Sequence, residues 1–315
     1  MIRNDEPYPT SSTLSNFIQQ NSKKLMKRVV FIINPHSGTD RVKAMQDAIA
    51  DGMDAQRYAW EIRYTERAGH GVDLAREAAG EGAAIVVAVG GDGSVADAAA
   101  GLIGTNAALG IIPKGSGNGM ARNMGMSLIV DKAIATINAG KRMRIDVGYA
   151  NEQLFLSNAG VGFDTLVSKE FAASTRRGLG VYSWLVTKHL WLYKEWEWDI
   201  EIDGKPIQEK AFLVNVANGK QFGYNFTIAP DASVTDGVLD LVIIRKFPKL
   251  LGGMLAIQAL WGRITDNPYV EHHQAKAVRI SHPKLRWMQT DGDAKPCDGS
   301  VSFRVVPAAL ELIVP

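Results

Sequence analysis

The chain has one cysteine, Cys297, in 315 residues. No intrachain disulfide can form, and no cysteine metal cluster exists. A lone thiol fits a reducing compartment, so the expected location is cytoplasmic. Long apolar runs are missing too. No stretch reaches the roughly 18–20 apolar residues of a membrane span. The nearest, Leu179 to Tyr193, is broken by Lys188 and His189. Any meeting with a membrane is therefore expected from one side, as a peripheral contact. Charge of one sign is not in large excess, and the formal net charge is +2. That argues against a broad nucleic-acid surface, so no nucleic-acid partner is expected. A local basic patch stays allowed. There are no internal repeats. Residues 1–25 carry Pro7, Pro9 and the polar run from Thr10 to Thr13. They lack the apolar core of a signal peptide and read as a flexible tail.

What is present is enough apolar material for two cored domains, with 46% hydrophobic and 22% charged residues. The first half alternates strand and helix. Val29–Ile33, Trp60–Tyr64, Ile85–Val89 and Ala108–Ile112 read as strands. Arg41–Asp51, Gly71–Ala79, Val95–Ile103 and Ile129–Ala139 read as helices. Such alternation implies a parallel sheet with helices on both faces. The second half is β-rich, with strands at Leu154–Ser157, Trp196–Ile202, Ala211–Ala217, Val238–Ile244, Ala277–Ser281, Val301–Val306 and Leu310–Val314. Trp196, Trp198, Ile200 and Ile202 alternate with acidic residues, which is period two, and Asp203-Gly204 supplies a hairpin turn. Two helices interrupt the strands, at Gly180–Tyr193 and Lys249–Trp261. The domain boundary falls near Arg144–Gly148.

Chemistry concentrates in the loops. The apolar run Ile85–Val89 ends in Gly90, Gly91, Asp92 and Gly93, and Ser94 is expected to open a helix. A strand that ends in glycines and feeds a helix brings bare backbone N–H groups to an anion. Asp92 beside a phosphate is repulsive unless a cation bridges them or the carboxylate accepts a proton. The run therefore predicts phosphate handling with a metal. Asn34, Pro35, His36, Ser37 and Gly38 follow the first strand. They make either a plain turn or a second ligand loop at the C-terminal edge of the sheet. Pro113, Lys114, Gly115, Ser116, Gly117 and Asn118 follow the fourth strand. Three such loops on one sheet edge favour a shared nucleotide cleft. Late in the β region, Thr290-Asp291-Gly292-Asp293 is either a turn or a carboxylate that reaches back across the domains as a general base.

In this order and spacing the three loops resemble the diacylglycerol kinase and sphingosine kinase family of lipid kinases. The resemblance covers residues 27–315. Thr65 to His70 is similar to a nucleotide-side segment of sphingosine kinases. Asn158 to Asp164 resembles the family's approach to its lipid-binding region. Asp236-Gly237-Val238-Leu239-Asp240 resembles its Asp-Gly-x-Leu-Asp signature. The resemblance implies an α/β nucleotide-binding domain of the NAD kinase and diacylglycerol kinase type over 26–146, completed by 307–315. An antiparallel β-sandwich over 147–306 would take the lipid, with the active site between the two.

The implied reaction moves the γ-phosphoryl group of ATP to the hydroxyl of diacylglycerol, a sphingoid base or a related lipid. Asn34, Ser37, Gly38, Thr65, Gly90, Gly91, Gly93, Ser94, Gly115, Ser116, Gly117 and Asn118 would hold ATP. Arg176 or Arg177 would meet its phosphates. Mg²⁺ would be held mainly by phosphate oxygens and water, with Asp92 on that side. Asp293 is the expected base and Asp291 a weaker candidate. The family more often has glutamate at Asp293, so this chain reaches one methylene less far. Asp164 and Asp146 are expected on the substrate side. Asp236 and Asp240 either hold a structural Mg²⁺ or form a plain turn and strand. The apolar helix after Leu179, with Trp184 and Trp191, either packs inward or touches lipid. A lipid at a membrane surface is the expected partner, with a homodimer as a further option. Two rival readings stand beside this one: an NAD kinase-like enzyme, which shares a Gly-Gly-Asp-Gly loop, and a non-catalytic lipid or nucleotide sensor.

Overall fold

The computed structural model describes residues 26–36, 42–174, 178–223 and 225–315. Residues 1–25 and the expected site residues Ser37, Gly38, Arg176 and Arg177 lie outside them.

Apolar runs closed by glycine or proline, together with one alternating edge strand, build the first half. Strands β1 (Lys27–Ile33), β2 (Tyr58–Tyr64), β3 (Ile85–Gly90) and β4 (Ala108–Pro113) are parallel, in the order β4-β3-β1-β2. Helices α1 (Val42–Gly52), α2 (His70–Gly80), α3 (Asp92–Leu102), the short α4 (Gly119–Asn123) and α5 (Val130–Ala139) connect and follow them. Alternate strand residues feed opposite faces. Phe31, Ile33, Val87 and Val89 pack with Ile49 of α1 and Ile134 of α5. Val30, Ile32, Val86 and Ala88 pack with Leu74 of α2 and Ala98 of α3 on the other side. The α3 helix starts at Asp92, two residues before the expected start at Ser94. An acidic side chain in the first turn suits the exposed N–H groups there, so Asp92 belongs to the helix as well as to the turn.

The second half opens with β5 (Arg142–Ala150), which runs through the residues where the sequence places the domain boundary. It pairs antiparallel with the last strand, β17, along nearly its whole length. Between them come β6 (Gln153–Phe155), β7 (Asn158–Gly162), α6 (Phe163–Ala173), α7 (Leu179–Leu190), β8 (Trp196–Ile202), β9 (Lys205–Ala217), β10 (Gln221–Gly223) and β11 (Phe226–Thr227). Next are β12 (Leu239–Arg245), α8 (Gly252–Leu260), β13 (Val270–Ala275), β14 (Ala277–Ser281), β15 (Trp287–Thr290) and β16 (Asp293–Pro296). The β8–β9 turn is the expected hairpin, with Asp203 and Gly204 both left-handed at φ 46° and 83°.

β17 (Ser300–Ile313) is one strand where the sequence reads two. A register shift between Val306 and Leu310 separates its halves, and Ala308 adopts φ 49° at the shift. Its end lies parallel to β4, with Leu312 opposite Leu109. This strand joins the parallel sheet to the antiparallel one. The fold is thus a mixed α/β domain continued by a C-terminal β-sandwich. Trp198, Ile200, Phe155, Phe303 and Leu241 fill the sandwich interior. A separate apolar cluster lies under α6, α7 and α8, around Phe163, Leu185, Phe212, Leu255 and Ala259.

Candidate active site

The second and third glycine loops touch backbone to backbone. A Cβ on Gly115 would sit 2.5 Å from the Cα of Gly91, so neither loop could approach the other with a side chain at Gly115. Asn118 holds this turn from within. It adopts φ 50°, its Oδ1 accepts the Gly115 N–H at 2.9 Å, and its Nδ2 donates to the Gly115 carbonyl at 2.7 Å. Expected as a direct nucleotide contact, Asn118 is instead 7% exposed and spent on loop shape.

Asp92 completes the junction. Its carboxylate accepts backbone N–H groups of Asn118, Gly119 and Met120, at the start of α4. Burial raises its pKa, those amides oppose the rise, and the charge of Asp293 adds to it. Gly90, Gly91, Gly93, Ser94, Ser116 and Gly117 are gathered at the same edge. Gly117 leaves room for Asp92, since a Cβ there would lie 3.0 Å from its Oδ2. Asn34 directly follows β1 beside them, with its N–H on the Val89 carbonyl and its Oδ1 accepting the His36 N–H at 3.0 Å. Thr65 directly follows β2 and donates its N–H to the Ile33 carbonyl.

The late Asp291-Gly292 pair is a turn and also part of the site. Thr290 and Asp293 face each other across the hairpin, with Asp291 at φ 48° and Gly292 at φ 88°. The Asp291 carboxylate accepts three amides, those of Leu156 at 2.8 Å, Ser157 at 2.8 Å and Asn158 at 3.1 Å. Burial still pushes its pKa up to about 7. This clasp fixes the hairpin, and the exposed Asp293 then leans on the start of α3. A Cβ on Gly93 would lie 3.3 Å from Asp293 Oδ2. Asp291 is thus the anchor of the base candidate, and its oxygens are taken by backbone.

Other expected residues take different places. Asp146, expected near substrate, is a buried clasp. Its Oδ2 accepts the Gly237 N–H and its Oδ1 the Ala308 N–H, both at 2.7 Å. It ties the Asp236–Asp240 turn to the kink in β17. Asp164 is buried in the first turn of α6, where Gln289 Nε2 donates to it at 3.3 Å. Gln289 also donates to Asn158 Oδ1 at 2.9 Å and accepts the Gly292 N–H at 2.9 Å. Asp164 is therefore linked to the Asp291–Asp293 turn through Gln289 and does not face open space. Burial raises its pKa to about 7.

Asp240 Oδ1 meets His272 Nε2 at 2.6 Å, while its buried Oδ2 has no partner. The orphan oxygen suits a cation. The imidazole suits Mg²⁺ poorly, because that ion selects oxygen ligands. Asp236 is exposed and caps the Val238 N–H at 3.2 Å. The expected metal pair is an imidazole–carboxylate contact with a turn carboxylate beside it. Among the described residues no three His, Cys, Asp or Glu groups converge as a metal cage.

Sequence reasoning missed the seam between the domains. Asn218 Nδ2 donates to the Asp146 carbonyl at 3.0 Å and to the Leu156 carbonyl at 2.8 Å. Asn123 Oδ1 accepts the Lys220 N–H at 2.9 Å, which ties α4 to the β-rich half. Asp97 was also missed. It is half-buried on α3, accepts the Gly69 N–H, and lies in the field of Lys295 and Asp293. Tertiary contacts between helices, loops and strands bring these together, so no linear signal marks them.

Comparison with known proteins agrees with this geometry. The family model of the diacylglycerol kinase catalytic domain matches residues 28–150. That of the YegS C-terminal NAD kinase β-sandwich-like domain matches residues 157–314. A Chromohalobacter salexigens protein named "Probable lipid kinase YegS-like" is 32% identical over 81% of this chain and 83% of its own. The chain belongs to the diacylglycerol kinase catalytic-domain family. A Bacillus subtilis member named diacylglycerol kinase is 29% identical over 85% of this chain and 90% of its own. In fold, a diacylglycerol kinase structure from Bacillus anthracis superposes with a TM-score of 0.69 at 21% identity, covering 93% of this chain and 98% of that one. An Archaeoglobus fulgidus NAD kinase in complex with ATP superposes at 0.51 and 12% identity, covering 91% and 93%.

Membership in this family of lipid kinases gives the glycine loops their sense. Backbone N–H groups at Gly91, Gly93 and Gly117, in loops held together by the Gly115–Asn118 bonds, give an edge that fits nucleotide phosphates. Asp92 and Asp293 supply hard oxygen donors, which fit Mg²⁺. With so few protein carboxylates, phosphate oxygens and water would complete its shell.

Proposed function

We propose that this kinase transfers the γ-phosphoryl group of ATP to the hydroxyl of a diacylglycerol-type lipid. The observation that carries the reading is the placement of Asp293, from the C-terminal hairpin, against Gly93 and within the field of Asp92. Two carboxylates from different domains then flank one phosphate-binding edge. Phosphoryl transfer needs alignment, charge neutralisation and a proton acceptor. The glycine loops and Asn34 hold the nucleotide. Asp92 holds the cation side, and a bound Mg²⁺ would neutralise the phosphates. Asp293 accepts the proton of the lipid hydroxyl. Asp291, Gln289 and Asp164 hold the Asp293 turn in place.

Relatives named diacylglycerol kinase support a glycerolipid over a sphingoid base. Among the described residues no helix is long and apolar enough to cross a membrane, so the lipid is met from one side. The test offers the purified protein ATP and Mg²⁺ with diacylglycerol, sphingoid base, ceramide and NAD in parallel. Phosphate is expected on diacylglycerol. Transfer to a sphingoid base alone would change the acceptor class. Transfer to NAD alone would overturn the lipid reading, and ATP binding without transfer to any acceptor would leave a sensor.

A further inference from the structure

Helix α8 is apolar on both sides, yet it sits at the surface. Leu255 and Ala259 point into the cluster beneath it. Met254 and Ile257 lie on the other side and are exposed, as are Leu250 in the 3-10 turn just before the helix, at 84%, and Trp261 just after it, at 75%. A helix apolar all round belongs in a core or a membrane, not in water. It is not alone. Gly252, its first residue, lies so close to Leu190 at the end of α7 that a Cβ would come within 2.8 Å. Next to Leu190, Trp191 and Leu192 are also exposed, the latter at 72%. The ends of α7 and α8 therefore form one continuous apolar patch. Patches of this kind on a monomer mark an interaction site.

Charge indicates the partner. Residues 179–194 and 246–263 together contain Lys188, Lys194, Lys246, Lys249 and Arg263, and no aspartate or glutamate. Acidic residues outside these stretches pair with three of the five, Glu170 with Lys188, Glu195 with Lys249 and Asp266 with Arg263, so the basic rim rests on Lys194 and Lys246. Lys194 and Lys246 are exposed at the patch edge. Tryptophan and apolar residues with a basic rim are the make-up of an element lying in a lipid interface. Position agrees. The apolar cluster under α7 and α8 extends to Phe222 and Phe226. Phe222 lies in β10, which abuts α4, and α4 starts at the amides that hold Asp92.

We propose that the α7–α8 patch docks on an anionic lipid surface, with α8 lying in the interface and its exposed stripe among the acyl chains. The proposal rests on the lipid-kinase reading for its purpose, but its test does not need turnover. The full-length protein, without ATP, is mixed with vesicles of phosphatidylcholine, with and without phosphatidylglycerol, and sedimented. Wild type is expected to bind the anionic vesicles more tightly, by a margin that salt removes. A protein carrying Leu250→Ser, Ile257→Ser and Trp261→Ser is expected to bind both kinds at least about tenfold more weakly. It should still phosphorylate a dispersed short-chain diacylglycerol within about twofold of wild type, which shows that it is folded. Lys194→Gln with Lys246→Gln should weaken binding to anionic vesicles only. In wild type, brominated acyl chains should quench tryptophan emission, and Trp261→Phe should reduce that quenching.

Wild-type binding by the triple variant would overturn the proposal, as would failure of wild type to bind. So would a wild-type dimer that the triple variant splits with vesicle binding unchanged, because the patch would then be a contact between copies. If no lipid acceptor is phosphorylated, the catalytic reading fails while the vesicle result stands on its own.

Discussion

Replacing Gly115 by alanine tests whether the two glycine loops work as one phosphate-binding edge. The added Cβ would lie 2.5 Å from Gly91 Cα and 3.0 Å from Asn118 Oδ1. The first neighbour is backbone, so no side-chain rotation relieves the overlap. Overpacking of this type costs about 1–3 kcal/mol. The two hydrogen bonds between Asn118 and Gly115 would stretch as the loops part, which puts the total near the upper end of about 3 kcal/mol. In a chain of this length that lowers the Tm by several degrees. Displaced amides should also raise the KM for ATP by about tenfold, equivalent to about 1.4 kcal/mol of lost binding. The KM for the lipid should change little. Gly80→Ala is the control. Gly80 ends α2 with no atom within 4 Å of a built Cβ, so alanine there should be neutral or slightly stabilising. Calorimetry and initial rates against ATP read both variants. An unchanged Tm and KM in Gly115→Ala would refute the loop contact as a functional element.

Asp92→Asn should keep the fold, by far-UV circular dichroism, and lower turnover by roughly 10²-fold or more, since the cation-side charge is lost; near-normal turnover would remove Asp92 from the chemistry. Asp293→Asn should lower turnover at saturating lipid by about 10²–10⁴-fold with ATP binding retained, and an unchanged rate excludes it as the base. Asp164 gives a pH prediction. Burial lifts its pKa from the ordinary 3.8 to about 7, so its contribution to stability is full below about pH 4 and is lost as pH rises through 7. The span of about three units corresponds to roughly 4 kcal/mol. Denaturant midpoints of wild type should fall between pH 4 and 8 more steeply than those of Asp164→Asn, and parallel profiles would show that Asp164 is not the group responsible.

The parallel half was legible because its signals are local. The strands β1, β3 and β4 are apolar runs stopped by glycine or proline, β2 alternates apolar and charged residues, and alternate residues sort onto two faces. The β-rich half was read less completely. β7 has the sequence NAGVG, which shows no strand pattern, and it is a strand because β9 and β15 pair with it on both sides. Helix α6 begins at Phe163 directly after β7, within a segment known only by resemblance. The break in β17 read as a gap between two strands, since Pro307-Ala308-Ala309 does not look like sheet. Asp146 holds that kink from 162 residues away.

The same division runs through the site. Sequence by itself determined the loops, their order along one sheet edge, and the presence of Asp92 and Asp293 as carboxylates of interest. Those rest on residue type and spacing, which a linear chain displays. Which carboxylate does what was decided by tertiary structure. Asp291 and Asp164 are acidic residues beside a glycine or at a helix start, as Asp92 is, and Asp146 lies within β5. They differ in what surrounds them: three amides around Asp291, two around Asp146, a glutamine beside Asp164, and open space beside Asp293 against α3. A carboxylate's role follows from its partners and its exposure, and both are set by contacts between segments far apart in the chain, such as Asp291 with Leu156 and Asp146 with Ala308.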